Sequence, residues 1–155
     1  MKLVQSALAR WPDYARLEQA VEGGAVPGAV TGLSGVHKCC VIASLCKKTG
    51  RRALVLAEAQ RFCEDLAALG LRPVSYPLRD FNFRDTAGTS HEYERLRLEA
   101  LSKLEDGQCD CIVACMDAAL QYTLGPEELE RKLFTLRPGD QLEIAGLLEA
   151  LVKCG

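Results

Sequence analysis

The residues of this chain best suited to chemistry lie in AVTGLSGVHKCC, residues 29–40, where Gly32, Ser34, Gly35 and Lys38 follow a short apolar run and precede a helical pattern. That is the composition of a phosphate-binding turn. A working loop of the GxxxxGK[ST] kind wraps phosphates in backbone amides, reaches them with its lysine and holds magnesium through the hydroxyl. Here Lys38 falls three residues after Gly35, inside the first turns of the helix, and Cys39 stands where Ser or Thr is needed. What is left is a helix start whose free amides attract an anion weakly, with Gly32, Ser34, Gly35 and Lys38 as candidate contacts. No magnesium-dependent hydrolysis is expected of it.

Other catalytic patterns are weaker. The apolar run at residues 110–115 ends in Asp117, one carboxylate where a magnesium site needs a pair, and Asp117 reads as the cap of the next helix. A GxGxxG dinucleotide turn and a GxSxG nucleophile elbow are both absent. His37 and His91 fall near helix starts and read as surface residues. Eight cysteines occur, at 39, 40, 46, 63, 109, 111, 115 and 154, mostly inside apolar segments, where thiols behave as small hydrophobes in a reducing compartment. Cys109, Cys111 and Cys115 are the set to weigh as zinc ligands, but CxC is not a CxxC knuckle and no second pair or histidine is suitably spaced. No catalytic residue, metal site or cofactor is expected, and a cysteine-based metal or redox module is the weakest of the alternatives.

The elements that must position these residues alternate. Strands are expected at residues 26–31, 53–57, 73–76 and 110–115, and helices at 36–48, 58–69, 90–105 and 116–122. Gly50 follows Lys47 and Lys48 as a helix stop. Thr89 and Glu92 fit a capping box, and the helix after them carries Tyr93, Leu96, Ala100 and Leu104 on one stripe, with a charged face turned to solvent. Residues 77–90, PLRDFNFRDTAGTS, are the one long irregular loop. Beyond it, Pro126 opens another helix, residues 132–137 alternate like an exposed strand, and residues 143–153 form a last amphipathic helix. Strand and helix alternation implies an α/β fold, a three-layer parallel sheet with helices on both faces. The domain is expected over residues 1–131, with 132–155 as an appendage or the start of a second domain.

With 48% hydrophobic and 26% charged residues and a net charge of -2, the profile is that of a soluble globular protein with no concentrated basic surface for nucleic acid along the sequence. The N-terminus, MKLVQSALARWPDYARLEQA, matches neither a signal peptide nor a membrane span, and a cytoplasmic location is expected.

Taken in order, VTGLSGVHK, TGRRALVLA, HEYERLRLEALSKL, DCIVACMDAALQYTLGPEELE and LRPGDQLEIAGLLEALVKCG resemble the N-terminal segment of bacterial transcription-repair coupling factors. The first domains of that family are in turn similar to the damage-recognition helicase of nucleotide excision repair, the B component of excinuclease ABC. In that helicase the block VTGxGKT binds ATP. Here Val30-Thr31-Gly32 fits its start, while Leu33-Ser34-Gly35-Val36 departs from the rest. The resemblance therefore implies a degenerate P-loop, helicase-like domain that kept the scaffold and lost the motor, acting as a noncatalytic scaffold in transcription-coupled repair. It implies as partners the other domains of a longer protein and, through regions outside this chain, the A component of the excinuclease, RNA polymerase and DNA. The competing reading is a small nucleotide- or anion-binding enzyme on the same scaffold, using the amides of residues 34–38.

Overall fold

The computed structural model describes residues 2–25, 27–79, 92–132, 136–139, 141 and 143–154. The chain divides into two units, Met1–Gln121 and Tyr122–Gly155.

The first unit opens with two helices, α1 (Lys2–Ala9) and α2 (Pro12–Glu22), which the sequence pattern does not separate from irregular chain. Pro12 sits in the first turn of α2, where its missing amide proton costs nothing. Then follow α3 (Gly35–Thr49), β1 (Ala53–Leu56), α4 (Ala59–Ala68), β2 (Pro73–Tyr76), α5 (Glu92–Glu105), β3 (Cys111–Ala114) and α6 (Met116–Leu120). Among the described residues β1 and β2 both pair with β3 in parallel, and the order is β1-β3-β2. β3 is central and buried along its whole length, as a continuous apolar run between two helical layers should be.

That order fixes where the helices go. The connection from β1 to β2 passes across β3 in one direction, and the connection from β2 to β3 returns in the other. Right-handed crossovers then require α4 and α5 on opposite faces. The core divides accordingly: Cys39 and Ala43 of α3 and Leu66 of α4 pack with Val55, Cys111 and Val113. Ala100 of α5 and Ala118 of α6 pack with Tyr76, Ile112 and Ala114 on the other side. The fold is thus α/β with helices on both faces of the sheet, as expected, but the sheet is smaller than expected.

Two expected strands are missing from the described residues. Residues 27–31 have no regular structure, although their apolar run suggests a strand beginning at Val26; Val26 lies outside the described residues. Pro27 supplies no amide proton and Gly28 and Gly32 have no side chain to pack, so the apolar pair Ala29-Val30 is too short to hold a strand. The exposed strand expected at residues 132–137 is also not formed in its described part, since Lys132 ends α7 (Pro126–Lys132) and residues 136–137 are irregular. Charged residues four apart in EELERK favour helix there. Most of the irregular loop at 77–90, together with Thr89, Ser90 and the capping box, lies outside the described residues.

In the second unit, Leu129 of α7 is buried and the Tyr122 hydroxyl donates to Glu128 at 3.4 Å. Its last helix, α8 (Ile144–Cys154), carries Ile144, Leu148, Leu151 and Val152 exposed. No helix among the described residues is long and apolar enough to cross a membrane.

Candidate functional site

The turn before α3 joins a left-handed glycine to a helix start without a side-chain cap. Gly32 holds φ at +79°, a left-handed conformation that L side chains rarely adopt, and so bends the chain into the helix. Ser34 occupies the N-cap position of α3, yet its side chain makes no capping bond. Instead its Oγ meets His37 Nδ1 at 3.0 Å. The first-turn amides of Gly35, Val36 and His37 therefore find no acceptor among the described residues, and no acidic residue stands in that turn. Lys38 is one full turn in; its amide donates to Ser34 O at 3.0 Å, so it belongs to the helix ladder and not to the loop.

The four sequence candidates thus sit together in a short arc, all at the surface. The neighbouring groove, about 400 Å³, lies between α2 and residues 28–31 and is lined by Trp11, Tyr14, Leu17 and Val41. Its lining includes none of residues 32–38, and Gly32, Ser34, Gly35, Val36, His37 and Lys38 are exposed, so the helix start opens to solvent. At an exposed helix start water competes for every amide and salt screens the attraction for any anion.

In a parallel sheet, ligands gather outside the carboxyl ends of the strands. The residue that organises that edge here is Arg97, which sequence patterning places on a solvated helix face. It is 5% exposed and it stacks on Tyr76, with its guanidinium carbon 4.0 Å from the ring centroid. Its Nη1 donates to Pro77 O at 2.9 Å, to Gln121 Oε1 at 3.2 Å and to Ala118 O at 3.3 Å. Gln121 also accepts from the Arg79 amide at 2.8 Å. Arg97 is the first member of a helical series with Ala100, Leu101 and Leu104, whereas Tyr93, expected in the apolar stripe, is 45% exposed. The spacing is there to see; the charge conceals it. On the opposite face of α5, Glu99 lies between Arg95 at 3.2 Å and Lys103 at 2.6 Å, and the Lys103 bond draws its carboxyl below the ordinary range.

Asp117 does not cap α6. The N-cap is Cys115, whose Sγ accepts from the Ala118 amide at 3.4 Å, and Asp117 stands exposed in the first turn, where a carboxylate favours the helix dipole. The tight turn out of β3 leaves the cap position to the residue next to the strand. Cys111 belongs to the layer under α3 and α4, while Cys109 and Cys115 belong to the other, so these three thiols do not converge. Among the described residues no three His, Cys, Asp or Glu side chains gather as a metal site. Burial pushes the Cys111 thiol up to about 12, with Cys46 and Cys63 adding to the shift. His91 lies outside the described residues.

At the opposite edge of the sheet, KKTGRR, residues 47–52, forms a cationic clamp. The helices of α/β units run antiparallel to the strands, so their carbonyl ends collect at the strands' amino ends. Lys47 donates to Leu69 O at the end of α4 at 3.1 Å, Arg51 to Val21 O in the last turn of α2 at 3.3 Å, and Arg52 to Leu104 O in the last turn of α5. Each cation meets the negative pole of a helix. A basic cluster exists after all, but it is engaged by the fold. Beside it Arg72 grips Asp110 through Nη2 at 2.7 Å, Nε at 3.2 Å and its amide at 2.8 Å, which ties the starts of β2 and β3 together and lowers the Asp110 pKa.

Among known proteins, UvrABC system protein B of Chlorobium limicola (strain DSM 245 / NBRC 103803 / 6330) is similar to this chain: 29% identical over 98% of the chain, which spans 25% of that protein. No family model matches, and no solved structure matches.

Proposed function

We propose that this chain is a noncatalytic scaffold and interaction domain of a transcription-repair coupling factor, acting in transcription-coupled nucleotide excision repair. The observation that carries the reading is similarity to UvrABC system protein B along 98% of the chain, combined with a phosphate turn that lacks the lysine and hydroxyl of a working loop. The similarity supports a domain related to nucleotide excision repair. The choice of coupling factor over excinuclease rests on the degenerate turn. Its partners would be other domains of a longer protein; the relative is about four times as long as the stretch matched here.

Isothermal titration with ATP and magnesium tests this. The expected result is no saturable binding heat and no released phosphate. Saturable ATP binding with magnesium-dependent turnover overturns the reading.

One observation favours a second reading, anion binding without hydrolysis: the α3 amides are left free because the Ser34 hydroxyl turns to His37. Inorganic phosphate would then bind at the start of α3, and Lys38→Ala would weaken it. Equal heats for the two proteins would remove this reading.

A further inference from the structure

We draw no further inference here: the strongest candidate, the outer edge of β1 with Leu54 and Leu56 exposed on the sheet face beside it, carries nothing, because nothing in the structure shows what covers it.

Discussion

Arg97 lies over the ring of Tyr76, a charged side chain stacked on an aromatic one in the layer between α5 and the sheet. Burial lowers the Arg97 pKa, and the ring face, two backbone carbonyls and the Gln121 amide oxygen offset the loss of water. Arg97→Ala should cost about 2–3 kcal/mol, because it strips a partner from the buried Ala118 carbonyl and the half-buried Pro77 carbonyl and opens a cavity. Arg97→Lys should recover little, since one ammonium cannot reproduce a planar fork that both stacks and donates. Urea denaturation measures both. A loss under about 0.5 kcal/mol for the alanine variant would mean that this edge of the sheet is held by something else.

The pair Arg72–Asp110 predicts an acid dependence. Hydrogen bonds from Arg72 set the Asp110 pKa below its ordinary value of 3.8, so the native state binds fewer protons than the unfolded chain in that range. Stability from this pair is present above the unfolded-state pKa and is lost as pH falls through the native one. Asp110→Asn should flatten the fall in the unfolding midpoint below about pH 4. Indistinguishable acid profiles for the two proteins would refute it.

Cys111 predicts an alkaline one. Its native thiol titrates at about 12, against an ordinary value of 9.0, so between those limits the unfolded chain loses a proton that the native chain keeps. Stability is complete below pH 9.0 and falls as pH rises toward 12, by up to about tenfold in the folding constant per pH unit for each such thiol. Cys111→Ala should lower stability at neutral pH while making its decline above about pH 8.5 shallower. Native-state alkylation read by mass spectrometry gives an independent check: Cys39, Cys109 and Cys111, all buried, should stay unlabelled until denaturant is added.

Gly50 caps α3 with φ at +65°, and its amide donates to Cys46 O at 3.0 Å. Gly50→Ala forces an L residue into that conformation and should cost about 1–2 kcal/mol in thermal or urea unfolding. A neutral result would show that the turn into β1 tolerates another path, and with it that the clamp of residues 47–52 is not fixed by this glycine.

The sheet is legible in the sequence because ALVL, PVSY and CIVA are apolar runs bounded by turn residues, and the Lys47-Lys48-Gly50 ending of α3 is legible from helix electrostatics. What is not legible has physical causes. The apolar pair Ala29-Val30 looks strand-like until the proline and glycines around it are weighed as backbone. Helix α2 hides because Tyr14 and Leu17 are its only plain large apolar signals before Val21, and Tyr14 is held by a hydroxyl bond to Ser44 at 2.8 Å. Arg97 is misplaced by patterning because patterning assigns charge to solvent, whereas a guanidinium with enough acceptors and a ring to lie on can be buried. Of the candidate site, the residues are readable, but the turn of Ser34 away from the helix amides toward His37 is not, since one torsion decides it.

The strand order β1-β3-β2 has a consequence for the timing of synthesis. Among the described residues β1 and β2 each bond only to β3, and β3 is the last of the three to be made. Until residue 114 has left the ribosome, neither earlier strand has a neighbour, and both wait as apolar segments, for several seconds at about 5–20 residues per second. The nascent chain therefore acquires its described sheet in one late event, and a chain cut short before Cys111 lacks the strand to which both β1 and β2 bond.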